Sequence, residues 1–177
     1  VFLTDVWISD EYVVGEVNKG WTYICEALNY ERFTFYTIAP LEQKFKELRN
    51  LVDSLSRDGK PLNEISDIRK KIIHLGTDVE IAKVLQRKVL SIALQDEVPQ
   101  TESAIFKLFS TKLHQKLANN AMDILGREGL FRKEYKHAHA NGKWEWSYRS
   151  TLVDTIGAGT TEIQKNTIAK KALNLPL

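Results

Sequence analysis

A single cysteine, Cys25, leaves no possibility of an intramolecular disulfide or a cysteine-built zinc cage. That usage fits a reducing compartment, and a cytoplasmic setting is the expectation. No apolar run approaches the roughly 20 residues of a membrane-spanning helix, and no secretory signal pattern is present. Charge of one sign is equally scarce: 25 lysines and arginines face 23 aspartates and glutamates, a net charge of +2. So mild a balance, without long like-charge runs, gives no basis for nucleic-acid binding. The G-x-G-x-x-G, P-loop and G-x-S-x-G patterns are all missing, which removes the common dinucleotide, phosphate-loop and serine-hydrolase signatures. The chain opens on "VFLTDVWI" without a methionine, and a piece of a longer protein is expected.

What is present is helical. With 43% hydrophobic and 27% charged residues, 177 residues suffice for one soluble domain with a sizeable core. "VFLTDVWI" alternates and is β-branched and aromatic, so a short leading strand is predicted, followed by a loop closing at Gly20. Trp21, Ile24, Leu28, Glu31, Phe35, Ile38, Leu41, Phe45, Leu48, Val52 and Leu55 then step by three and four. The spacing predicts one helix of roughly 50 Å, with Pro40 kinking it or removing one hydrogen bond. After the turn residues of "SRDGKPLNE", a second stripe runs from Ile65 to Ile92. A third, capped by Thr101 or Ser103, carries Ile105, Leu108, Leu113, Leu117, Ala121 and Ile124 and stops at Gly126. Residues 127–146 lack a period and read as a long loop, anchored by Trp144 and Trp146. Short helices are expected over 147–156 and 161–173. The fold class is all-α: an up-down bundle of four-helix type with a short leading β-strand.

Glu31 interrupts an apolar stripe between Leu28 and Phe35. A carboxylate there costs free energy unless it is paired or kept for an altered pKa. Periodicity alone allows a structural ion pair with Arg32 or a neighbouring helix as readily as a catalytic acid. Near the end, "DTIGAGTTEIQ" reads as a glycine-hinged bend feeding a helix, with Thr160 or Thr161 as cap. Such an entrance aims backbone N–H groups at an anion, although an ordinary helix cap has the same sequence. His74, His114, His137 and His139 lie far apart or in loop, so no metal site is expected. Cys25 reads as a structural thiol.

"DVWISDEYVVGEVNKGW…LNYER", "DGKPLNEISDIRKKI", "ESAIFKLFSTKLHQKLANNAMDILGREGL" and "GAGTTEIQKNTIAKKALNLP" together resemble the acyl-CoA dehydrogenases. The resemblance covers nearly the whole chain and corresponds to that family's C-terminal helical domain. It implies that residues 1–17 are the end of a middle β-domain plus linker, and 18–177 the helical domain. It also implies FAD as cofactor and an acyl-CoA substrate: a carboxylate removes the α-proton as hydride leaves the β-carbon, giving a 2-enoyl-CoA. Electron-transfer flavoprotein or a similar acceptor, and a homodimer or homotetramer, are the implied partners. Isolated from the rest, this stretch is expected to be inactive.

Many members place the catalytic glutamate directly before the Gly-Thr of the closing bend, where this chain has Ala158. A group similar to the isovaleryl and long-chain enzymes instead carries it just before an arginine on the long helix. Here that position is Glu31, followed by Arg32. Positional match further implies Asn29, Tyr30, Arg32 and Gly159 along the substrate channel. Thr160, Thr161 and Glu162 would meet FAD. The family's flavin-contacting arginine and aromatic become Leu55 and Asp58; its Gln and Gly-Gly become Asp123 and Gly126-Arg127, leaving Arg127 as a substitute positive charge. Same-fold alternatives are a non-catalytic partner subunit or an oxygen-using flavoenzyme, and a different class is a helical oligomerisation module.

Overall fold

The computed structural model describes residues 2–34 and 37–176, with only the backbone of residues 32 and 33. Six α-helices carry the architecture: α1 (Gly20–Thr34), α2 (Ile38–Ser54), α3 (Ser66–Ala93), α4 (Gln100–Leu125), α5 (Lys143–Asp154) and α6 (Thr161–Ala172). Helix α4 is the axis, with α1, α2, α3, α5 and α6 all packed against it, while α2 also lies along α3. The main core joins Leu41, Leu48 and Val52 of α2 with Leu75, Val79 and Ala82 of α3, Leu113, Leu117 and Ala121 of α4, and Trp144 of α5. Val89 and Phe106 form a smaller cluster of their own. This is the all-α bundle that the stripes predict. Among the described residues no helix is long and apolar enough to cross a membrane.

Three expectations need correction. The leading strand is not formed over residues 2–8, where Phe2 and Trp7 are 98% and 85% exposed. Alternation supplies the propensity, but a strand needs a partner for its N–H and C=O groups, and none pairs with it among the described residues. The single 50 Å helix is two helices. Helix α1 stops at Thr34, Phe35 falls outside the described residues, and Thr37 is extended at φ −77 and ψ 163 before α2 begins. Pro40 thus sits in the first turn of α2, where a missing N–H costs nothing, and marks a start rather than a kink. The freed N–H of Ile38 donates to Gln86 Oε1 of α3 at 3.3 Å, which ties the new helix to its neighbour.

The turn after α2 is a small hairpin, β1 (Ser56–Arg57) and β2 (Lys60–Pro61), with Ser56 opposite Pro61 and Arg57 opposite Lys60. Asp58 and Gly59, at φ 52 and 77, provide the two positive φ angles of a type I′ turn. The expected loop over 127–146 is shorter than predicted. Tight 3₁₀ turns occupy Gly126–Leu130 and His139–Gly142, and α5 starts at Lys143. Gly142 permits this close return: at φ 70, a Cβ on it would lie 2.4 Å from Lys133 N. Trp144, 1% exposed, then enters the core, whereas Trp146 stays 59% exposed.

Leu117 has no exposed surface at the centre of α4. Leu117→Ala should cost about 2–5 kcal/mol in urea unfolding of the chain, with the midpoint falling and the slope unchanged. Trp21→Ala, at a residue 79% exposed, should stay within about 0.5 kcal/mol. A loss under about 1 kcal/mol for Leu117→Ala would contradict α4 as the packed axis.

Candidate active site

The bend between α5 and α6 is the most constrained surface feature. Gly157 N–H donates to Val153 O at 2.9 Å, closing α5, and Thr161 N–H donates to Thr155 O at 3.0 Å across the bend. Thr160 is the N-cap of α6, and its hydroxyl accepts from Ile163 N–H at 3.3 Å. The left-handed residues are Ala158 (φ 53) and Gly159 (φ 90), so the strain falls partly on an alanine. A side chain in that region costs about 1 kcal/mol or more and persists only where surroundings over-determine it.

Those surroundings are two buried donors. Gln164, with no exposed surface, donates through Nε2 to Ala158 O at 3.0 Å and to Gly159 O at 3.2 Å. Lys107, equally buried on α4, donates from Nζ to Gly159 O at 2.7 Å. A Cβ on Gly159 would lie 2.6 Å from Gln164 Nε2, so glycine is required twice over, by angle and by space. Both carbonyls are thereby turned inward.

Beside the bend lies a group of charged side chains that sequence periodicity does not single out. Lys44 Nζ on α2 donates to His114 Nδ1 on α4 at 3.2 Å, which fixes the imidazole as a neutral acceptor. Burial, with Lys44 nearby, pushes His114 down to about 4. Burial also lowers Lys44, against the pull of Asp154. Asp154, at the end of α5, is raised by burial and held back by Lys44 and then Lys107. Lys44, His114, Asp154 and Lys107 thus form a chain of interacting groups that reaches Gly159 through Lys107. Each looks unremarkable in the sequence, since a buried lysine and a snorkelling one have the same neighbours.

Glu31 does not sit in a dry ridge. Its side chain is exposed, and among the described residues its carboxylate makes no ion pair. The face of α1 that packs inward carries Cys25, Leu28 and Asn29, one step around the helix, and Asn29 is 6% exposed. Trp21 and Ile24, which share the Glu31 stripe, are 79% and 49% exposed. Tyr30 is at the border, 36% exposed, and the Arg32 side chain lies outside the described residues. Thr161 is half-buried at the first turn of α6. Glu162 is exposed there, its carboxyl held low by its own backbone N–H and then by the Thr160 hydroxyl.

Asp123 and Arg127 come together elsewhere, in a cavity of about 390 Å³ between the hairpin and the end of α4. Asp123 pairs there with Lys71 Nζ at 3.2 Å. Arg57 of the hairpin lines the same cavity and donates from Nη2 to Ile124 O at 2.5 Å, satisfying a carbonyl at the α4 C-terminus. The sequence signal for Arg57 is its place before the Asp-Gly turn, which brings it back beneath α4. Among the described residues no three His, Cys, Asp or Glu side chains group as a metal site would require; His139 pairs instead with Glu128 at 2.5 Å.

Comparison with known proteins points one way. Residues 18–173 match the acyl-CoA dehydrogenase C-terminal domain. The chain is 26% identical to acyl-CoA dehydrogenase FadE26 of Mycobacterium tuberculosis, over 99% of the chain and 45% of that protein. It is likewise 26% identical to the mitochondrial long-chain specific acyl-CoA dehydrogenase of Rattus norvegicus, over 98% of the chain and 39% of that protein. Among solved structures it resembles the ChsE4–ChsE5 complex from Mycobacterium tuberculosis, with a TM-score of 0.80 and 26% identity over 92% of the chain and 42% of the matched one. The chain thus spans under half the length of these relatives.

The depressed His114 has a pH signature. Its folded pKa of about 4 lies below the ordinary 6.5, so stability is fully present above 6.5 and drains as pH falls toward 4. That gap corresponds to on the order of 3 kcal/mol. Asp154, raised, works in the opposite sense within the carboxylate range. Replacing His114 by Gln should therefore flatten the acid limb of a stability–pH curve between 6.5 and 4. An unaltered limb would show that His114 titrates normally.

Proposed function

The chain belongs to the acyl-CoA dehydrogenase family through its C-terminal domain, and on that footing we propose that it works as the helical half of a FAD-dependent acyl-CoA dehydrogenase. The observation that carries this reading is the family match across residues 18–173. Residues 1–17 are then the end of a β-domain and its linker, and a cytoplasmic setting suits the lone thiol.

The residues present fit the cofactor. The N-terminus of α6 opens directly after the Gly159–Thr160 bend, and the positive end of its dipole suits a phosphate. Arg57 and Arg127 share one cavity with Asp123 and Glu128 and bring guanidinium groups where Leu55 and Asp58 replace the family's usual pattern. Thr160, Thr161 and Glu162, and separately Asp123 and Arg127, are the residues that would hold FAD. When bound, FAD supplies a hydride acceptor.

In this reading Glu31 removes the α-proton of the acyl-CoA thioester, with Asn29, Tyr30 and Arg32 positioning the acyl group. Gly159 supplies the positive φ by which the bend would approach the thioester. Glu31 stands in solvent here, so bound substrate would have to exclude water from it for the proton transfer. Electron-transfer flavoprotein or a similar acceptor follows as redox partner. The exposed apolar stripes of α1 support a homodimer or homotetramer.

A second reading, a non-catalytic subunit of a mixed assembly, draws on the exposure of Glu31 and on the likeness to a two-protein complex. One experiment separates the two. In the flavin-loaded full-length protein, Glu31→Gln should keep acyl-CoA binding while slowing flavin bleaching by about 10²–10⁴-fold. Normal bleaching in that variant removes Glu31 from the chemistry.

A further inference from the structure

We propose that Lys107 is a positioning residue: from the middle of α4 it holds the Gly159 carbonyl inward and so fixes the backbone donors of the Ala158–Gly159–Thr160 bend. The argument begins with cost. Lys107 has no exposed surface, and a leucine or methionine would pack there without the penalty of a desolvated ammonium. Its Nζ nonetheless reaches the Gly159 carbonyl at 2.7 Å, with Asp154 as the nearby opposite charge.

Gln164 repeats the pattern. It too is fully buried, and its Oε1 has no partner among the described residues, while its Nε2 bonds both bend carbonyls. Leaving a buried acceptor unpaired costs about 1–3 kcal/mol, so the amide is retained for its donors. Two side chains from different helices thus converge on two consecutive carbonyls.

The consequence follows from peptide geometry. Among the described residues no peptide is cis, and in a trans unit the N–H points opposite its carbonyl. With Ala158 O and Gly159 O tied toward Lys107 and Gln164, the Gly159 and Thr160 N–H groups face the other way. The left-handed angles at 158 and 159 are the backbone cost of that arrangement. Lys107 acts through the bend and need touch no substrate. Its effect on catalysis rests on the reading of this bend as substrate-facing.

The test has two readouts. Hydrogen exchange on the protein should show the 157–161 bend at least about tenfold faster in Lys107→Met, with α3 and the Leu113–Ala121 stretch still protected. Gln164→Leu, which removes the other donor, should loosen the same bend and serves if Lys107→Met fails to fold. In the flavin-loaded full-length enzyme, Lys107→Met should lower kcat about tenfold while KM and flavin content stay within about threefold. A bend that exchanges as before, or exchange raised evenly across the bundle, overturns the role of Lys107. A loosened bend with kcat unchanged overturns instead the reading of the bend as substrate-facing.

Discussion

Helix α4 packs against five other helices, and the polar residues on its inward sides cannot reach water. Ser103, Lys107, Ser110, Thr111 and His114 are all buried on it. The Ser110 and Thr111 hydroxyls turn back to the Lys107 carbonyl at 3.2 and 2.9 Å and need nothing from outside. Lys107 and His114 are too long or too rigid for that solution. One is met by the Gly159 carbonyl, the other by Lys44 of α2. The requirement that buried polar groups be satisfied thereby decides where two distant parts of the chain lie against α4.

That requirement also links packing to the site. The bend would be an ordinary helix cap if only Thr160 shaped it. Because Gln164 and Lys107 anchor it from the interior, its donors are presented by the bundle itself, on rigid elements. The α1 side contrasts with it. Asn29 is buried, but Trp21, Ile24 and Glu31 stand open, so one wall of the proposed channel is finished and the other still faces water.

The sequence is most legible where burial is one-sided. Along α3 the expected stripe coincides with the buried Ile68, Leu75, Val79, Ala82, Gln86 and Val89, because one face meets the core and the rest meets solvent. On α4 the stripe holds at Leu113, Leu117, Ala121 and Ile124 but misleads at its start: Ile105 and Leu108 are half-buried, while Phe106 and Lys107 between them are fully buried. A helix with neighbours on several sides buries more than the one stripe that periodicity reports. The break between α1 and α2 is hidden for another reason, since the second helix resumes the three-four step and Pro40 suits a kink or a start equally. Glu31 is legible as an apolar-stripe acid, yet its exposure depends on what covers α1, which spacing does not encode. The pairing of Lys107 with Gly159, separated by 52 positions, leaves no local trace at all.

The arrangement of the four tryptophans has an optical consequence. Trp7, Trp21 and Trp146 are 85%, 79% and 59% exposed, while Trp144 is 1% exposed. Collisional quenchers such as iodide will reach the first three and spare the fourth. The emission that survives quenching comes from the indole lodged between α5 and the core, beside the helix that ends at Asp154. It is a built-in fluorophore for the docking of α5, and so for the support beneath the bend.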